Sequence, residues 1–291
     1  MQGVNGTPGA DIAVVNPWDN FQGANTITVA IIDDGIDIDH QDLQSNIWRN
    51  TAEVAGNGID DDNNGYIDDI NGWDFGDGDN DPRPDAGDFH GTHVAGIVGA
   101  IGNNGIGVSG VNWNVKLMPV KIFGANISIS GIIAGLNYAV NNGALVSNNS
   151  YNTGTGGPSL AFQAALNFAR TRGHVFVSSA GNTAQNNDLI NHYPSDYPQD
   201  NVVAVAATDN TDTRASFSNI GATSVDIGAP GVSILSTVTG NSYAYLDGTS
   251  MASPHVAGAV AYLMAMRSDL TYQQILSYMY QNVDPLPSLA G

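Results

Sequence analysis

Residues 248–258 read Gly248-Thr249-Ser250-Met251-Ala252-Ser253-Pro254-His255-Val256-Ala257-Gly258. A serine at a turn is followed by a run, 256–266, that is almost wholly small or apolar. A helix that is apolar all round belongs inside a core rather than on a surface. The free amide groups of its first turn carry partial positive charge, so Ser250 sits where a developing oxyanion could be held. That makes Ser250 the leading nucleophile candidate. The competing reading is that Thr249 or Ser250 is only an N-cap, a position that serine and threonine favour.

Working outward, residues 28–32 read Thr-Val-Ala-Ile-Ile, an apolar, largely β-branched run without polar alternation. Such a run is the pattern of a parallel strand covered on both faces. Asp33 stands at its carboxyl end. Similar runs end at Phe123, Asn149, Ser179 and Ala207, with helical patterns over 129–142 and 160–172 between some of them. This alternation predicts an α/β fold with one doubly wound, mostly parallel sheet flanked by helices. Ligands bind beyond the carboxyl ends of the strands in such sheets, which is where Asp33, Ser150 and Asn182 fall.

At 291 residues, with 35 glycines, 42% hydrophobic and only 12% charged residues, the chain suits one dense domain of tight turns and buried strands. Its net charge of −20, from 28 acidic against 8 basic residues, argues against nucleic-acid or anionic-membrane partners and for bound cations. There is no cysteine, so neither disulfides nor thiolate metal sites contribute. Residues 1–17 hold no Lys or Arg and no long apolar run, unlike a signal peptide. The run 256–266 falls well short of the roughly 20 residues a spanning helix needs, so a soluble chain is expected.

Twelve of the 28 acidic residues lie between Glu53 and Asp88, and their mutual repulsion calls for cations. Within that region Asp60-x-Asp62-x-Asn64-Gly65-Tyr66-Ile67-Asp68 follows the first nine positions of an EF-hand loop, glycine at the sixth included. Position twelve is Asn71 rather than Glu, leaving Asp69 as a substitute ligand; an acidic surface turn is the alternative. His90 lies in Phe-His-Gly-Thr-His-Val-Ala-Gly, and His90 with His93 has the spacing of a zinc pair on one helical face, although no third protein ligand is apparent.

Taken together, Val-Ala-Ile-Ile-Asp33-Asp-Gly, His90-Gly-Thr-His and Gly-Thr-Ser250-Met-Ala-Ser-Pro, in that order, resemble the three signatures of the subtilisin-like serine proteases. The resemblance covers nearly the whole chain, and its closest flavour is the calcium-rich, thermitase-like bacterial branch. It implies a sheet of about seven strands and a serine endopeptidase. His90 would be the general base and Asp33 the residue that fixes its tautomer. Asn182, in Ser-Ser-Ala-Gly-Asn, would be an oxyanion donor beside the Ser250 amide, and His93 a packed helix residue.

Ser150-Tyr151-Asn152 resembles the family's Ser-Leu-Gly or Ser-Trp-Gly edge, which pairs with substrate backbone and walls the primary specificity pocket; here Asn152 replaces the usual glycine. Asn126, Ile127 and Ser128 match the opposite substrate edge. His192, before a Tyr193-Pro194 bond expected to be cis, falls at the pocket floor. Polypeptide would be held between the edges by β-augmentation, with broad, apolar or aromatic preference. For calcium the resemblance implies two or more structural sites. One is a strong site at Asp42 and Asn104 with carbonyls near Ile101, Ile106 and Val108. A second is a loop with Asp74, Asp77, Asp79 and Asp81, and Asp226 would join a weaker cation site. It also implies a secreted, monomeric enzyme whose catalytic domain, 1–291, is trimmed at both ends. Asp34 matches the kexin-like Asp-Asp-Gly, which keeps a narrow processing protease as one alternative. A catalytically silent, calcium-bound binding module is another.

Overall fold

The computed structural model describes residues 6–154 and 157–289. A short α1 (Val15–Trp18) precedes β1 (Gly23–Asp33), in which every residue from Ile27 to Asp33 is buried. Alternate side chains of β1 enter different cores. Val29 and Ile31 join one apolar cluster and Ala30 and Ile32 the other, all without exposed surface. Each fully buried branched side chain of this kind contributes about 1.5–3 kcal/mol.

After β1 come β2 (Trp73–Asp74), α2 (His90–Gly99), β3 (Asn114–Lys121), α3 (Ile129–Asn141), β4 (Val146–Asn149) and α4 (Leu160–Thr171). The chain continues through β5 (Val175–Ser179), β6 (Val202–Thr208), β7 (Ile227–Pro230), the hairpin β8 (Ile234–Val238) and β9 (Ser242–Leu246), then α5 (Thr249–Met266) and α6 (Tyr272–Gln281). Seven strands form one sheet in the order β2-β3-β1-β4-β5-β6-β7, every pair parallel. This is the expected doubly wound α/β architecture. Strand β3 lies on one side of β1 and β4 on the other, so the winding reverses at β1. A crevice opens beyond its carboxyl end at such a reversal, and Asp33 is the last residue there.

Helix α5 packs across β1, β4, β5, β6 and β7 on the face it shares with α2, while α3 and α4 cover the opposite face. Most of the run expected to be interior is so, Val256, Ala257, Val260 and Ala261 being at most 4% exposed, but its last residue, Met266, is 51% exposed. Helix α2 is clamped by β8. Ser236 Oγ donates to the His93 carbonyl and Thr237 Oγ1 to that of Thr92, at 2.7 and 2.8 Å. Only glycine permits this approach at position 96, where a Cβ would meet both hydroxyls at 2.3 Å.

Strands β2, β7, β8 and β9 were not marked in the sequence; for the marked runs the differences lie at element ends. Strand β1 starts at Gly23, through an irregular register between Gly23 and Thr28; β3 ends at Lys121, two residues before Phe123; β6 runs one residue past Ala207.

Candidate active site

At the end of β1 the buried Asp33 carboxylate uses one oxygen twice. Oδ1 accepts from the Asp34 amide and faces His90 Nδ1, both at 2.8 Å. Asp34 works on the same helix from the other side, its carboxylate accepting from the amides of His90 and Gly91 at 3.0 and 2.6 Å. A carboxylate at a helix N-terminus satisfies free amides and complements the dipole, so two adjacent aspartates hold the ring and the backbone of His90. Burial works to lower the His90 pKa, but the charge and hydrogen bond of Asp33 and the charge of Asp34 outweigh it and lift it to about 9. Burial and the neighbouring Asp33 charge push Asp34 up to about 6.

Ser250 is the second residue of α5, whose N-cap is Gly248 with no side-chain cap bond. The capping alternative for Thr249 and Ser250 is therefore replaced by a start one residue earlier. Pro254 stands inside the helix and has no N–H to offer the Ser250 carbonyl four residues back. Ser150 Oγ donates to that carbonyl instead, at 3.0 Å, while Ser250 Oγ lies 3.4 Å from the Ser150 carbonyl. The support continues inward: Asn148 Nδ2 donates to Ser150 Oγ at 2.9 Å and Ser253 Oγ to Asn148 Oδ1 at 2.7 Å. Asn148 and Ser253, which the sequence reading passed over, thus fix the serine turn to β4. Their only signal was a run of polar residues, Ser147 to Asn149, closing a strand that is buried throughout.

Asn182 Oδ1 accepts from both the amide and the hydroxyl of Thr249, each at 2.8 Å. Its Nδ2 is thereby turned away from Thr249. A Cβ built on Gly248 would lie 3.5 Å from Asn182 Nδ2 and 3.5 Å from the Ser250 amide nitrogen, so the two donors flank one small space.

A cleft of about 520 Å³ runs from Asp33, Asp34 and His90 to Ser150, Tyr151 and Asn152, and is also lined by Asp85, Asp88, Phe123, Gly124 and Ile127. Of the segment expected opposite Ser150, Ile127 lines the cleft, whereas Ser128 Oγ caps α3 by accepting from the Gly131 amide and the Asn126 amide donates to the Gly76 carbonyl. The Tyr193-Pro194 bond is cis, as expected. His192 is buried and bonded to Asn152. His93 is buried too. Its Nε2 faces the carbonyls of Ile234 and Ala244 at 3.1 Å, and burial lowers its pKa to about 4, so it packs the helix against the hairpin rather than pairing with His90 on a metal.

The acidic residues fall into three groups. Asp42 has no exposed surface and accepts from Asn104 Nδ2 at 2.6 Å and the Val108 amide at 2.9 Å, while the Ile101 amide reaches its carbonyl and the Ile106 amide bonds Asn104 Oδ1. Among the described residues no basic side chain pairs with its carboxylate. In the second group, carboxylate oxygens of Glu53, Asp60 and Asp62 lie within 4.8 Å of one another. Glu53, not foreseen as a ligand, comes from upstream of the loop where the EF-hand pattern lacks its glutamate. Asn64 bonds Asp62 and Asp69, and the Tyr66 amide bonds Asn64 Oδ1. Asp68 holds the amides of 56–58, and Asp69, expected to close the loop, is buried against Tyr138, Asn50 and Asn64.

The third group differs from expectation. Lys121 Nζ, with a nearly buried side chain, lies 2.8 Å from Asp74, 2.8 Å from Asp85 and 3.8 Å from Asp77, while Asp81 pairs with Arg83 and Asp79 holds the Asp81 amide. The Lys121 ammonium group thus sits among carboxylates expected to form a calcium loop. Asp226 is exposed, accepts from the Ala204 amide at 2.8 Å and belongs to none of these groups.

The sequence profile described as "Subtilase family" matches residues 24–288. A thermophilic serine proteinase of Bacillus sp. (strain AK1) is 39% identical over 262 residues, covering 89% of this chain and 57% of that protein. The alkaline protease of Alkalihalobacillus alcalophilus is 43% identical over 210 residues, 72% of this chain and 53% of its own. The chain spans about half the length of these relatives. Among solved structures, a protease of Pseudoalteromonas arctica aligns with a TM-score of 0.79 at 30% identity, covering 97% of this chain and 90% of that one. A cold-adapted subtilisin-like serine proteinase gives 0.72 at 30%, covering 94% and 86%. With profile, relatives and fold in agreement, the chain belongs to the subtilase family.

Proposed function

We propose that this chain is a serine endopeptidase in which Asp33, His90, Ser250 and Asn182 carry the reaction. Ser250 Oγ adds to the carbonyl carbon of a peptide bond while His90 takes its proton. His90 then passes that proton to the departing amine, leaving an acyl-enzyme. Water, deprotonated by His90, adds to the acyl carbon, and collapse of the adduct returns the proton to Ser250 and releases the acid. Asp33 keeps the proton of His90 on Nδ1 and stabilises the imidazolium. The observation that carries the reading is the pair of donors, Asn182 Nδ2 and the Ser250 amide, flanking one space beside the serine turn, where the carbonyl oxygen gains charge. Hydrolysis of casein tests it: Ser250→Ala is expected to abolish nearly all activity, and near wild-type turnover by that variant would end the reading.

Polypeptide lies extended along the 150–152 edge, and the breadth and apolar or aromatic preference of the enzyme rest on Phe123, Ile127 and Tyr151 along the open cleft. Calcium fits two places. The buried Asp42 carboxylate, which takes hydrogen bonds but has no basic partner among the described residues, is one, and Glu53 with Asp60 and Asp62 is the other. Oxygen donors of this kind suit a hard cation, which would cross-link loops and take no part in the chemistry. The same reading makes 1–291 a single catalytic domain, secreted and monomeric. The charge of −20 opposes nucleic-acid and anionic-membrane partners, and no described helix is long and apolar enough to cross a membrane.

A further inference from the structure

Strands β4 and β5 pair as far as Asn149 and Ser178, and beyond that point the segments 150–154 and 179–182 no longer pair with each other. The far side of the gap is closed by the Thr153 amide on the Tyr193 carbonyl at 2.8 Å and the Tyr193 amide on the Gly154 carbonyl at 3.3 Å. His192 forms its floor, so close to Gly181 that a Cβ there would come within 2.6 Å of Nε2. The near side adjoins Ser250 through Ser150 and Asn182 through Thr249. With the carbonyl oxygen of a bound peptide at the Asn182 and Ser250 donors and its backbone on the 150–152 edge, the side chain on the acyl side of the scissile bond points into this gap.

Asn152 crosses it. Its Oδ1 accepts from the Gly154 amide, which turns Nδ2 towards His192 Nε2 as donor. His192 Nε2 is then the acceptor and its proton sits on Nδ1, 3.3 Å from Ser195 Oγ, which donates to the His192 carbonyl at 2.6 Å. Burial lowers the His192 pKa, so the ring stays neutral and the bond persists at neutral and alkaline pH. We infer that the Asn152–His192 hydrogen bond closes the primary specificity pocket, so that the residue on the acyl side of the scissile bond must be small: glycine, alanine or serine. A larger side chain would have to break this bond and leave a buried imidazole nitrogen unpaired. The aromatic preference of the enzyme is then confined to positions farther along the cleft.

This inference rests on Ser250 being the nucleophile. The test is kcat/KM on peptides that differ only in carrying alanine, valine or phenylalanine before the scissile bond. A single methylene in a pocket already discriminates about 10- to 200-fold, so wild type is expected to favour alanine over phenylalanine by about 50-fold or more. Asn152→Gly and Asn152→Ala, each confirmed folded by its melting curve, are expected to lower that ratio at least tenfold through gain on the phenylalanine peptide. Comparable wild-type rates on both peptides, or a ratio unmoved in either folded variant, would overturn the inference. Absence of any Ser250-dependent hydrolysis would instead end the endopeptidase reading and this one with it.

Discussion

His90 is held by Asp33 and Asp34 in a state that favours its proton, although the general base it is proposed to be works only without it. With its pKa near 9, kcat/KM is expected to rise with pH through about 9 rather than through the ordinary histidine value of 6.5. Stability runs the other way. A histidine pKa raised by folding contributes stability that is complete below about 6.5 and is lost as pH rises through about 9. The activity profile and pH-dependent melting should therefore slope in opposite senses between these values, and an ascending activity limb centred near 6.5 would contradict the arrangement. Asn182 makes a separate demand. Because its oxygen is engaged by Thr249, Asn182→Leu removes an oriented donor. Turnover is expected to fall about 100- to 1000-fold, the loss recorded for removing such a donor in subtilisin, a family member, with KM nearly unchanged. A change confined to KM would mean that Asn182 binds the ground state instead.

Helix α5 presents the same economy at the scale of an element. A proline six residues into a helix costs a hydrogen bond, and here the carbonyl it frees belongs to Ser250, the proposed nucleophile, and is taken by Ser150. Asn148→Ala would strip both Ser253 and Ser150 of a buried partner. The expected cost is about 1–3 kcal/mol of stability by thermal or urea unfolding, together with a reduced kcat because the serine turn loosens. Asn148→Asp should keep the bond from Ser253 while losing that to Ser150, and so separate the two halves of the relay; unchanged stability in the alanine variant would show the chain of bonds to be dispensable. The strands and helices around this site were legible because runs such as 28–32 and 256–266 are apolar without alternation, a pattern only full burial explains. The catalytic candidates were legible through motif order. What could not be read was the joining of distant segments: Asn148 to Ser253 and Lys121 to Asp74 depend on how the chain returns across the sheet, and no local spacing encodes that. Asn152 was noticed as a departure, but its bond to His192, forty residues on, appears only in three dimensions.

At the scale of the molecule the charge of −20 must be tolerated without disulfides, and the chain does so in two different ways. Around Asp74 a buried lysine pairs with Asp74 and Asp85 and offsets part of the carboxylate charge from within. Asp42 has no such partner among the described residues, and Glu53, Asp60 and Asp62 crowd like charges within 4.8 Å. An ion bound only to the folded state stabilises it by mass action, about 4 kcal/mol when free calcium exceeds the dissociation constant a thousandfold. For a domain of this size that corresponds to roughly 8–16 °C in Tm. Chelation is therefore expected to lower Tm by about that amount and to open the 53–69 loops to self-cleavage, read by mass spectrometry of the fragments. The two balancing schemes make separable predictions. Asp42→Asn and Asp60→Asn should each shrink the difference between the melting curves with calcium and with chelator. Asp77→Asn, which weakens contacts to Lys121 and the Ala125 amide, should lower both curves equally and leave their separation intact. If the wild-type curves coincide and no calcium accompanies the purified protein, these loops are acidic turns held by their own amide bonds. If Asp77→Asn alone abolishes the calcium effect, Lys121 is not the cation that balances its group.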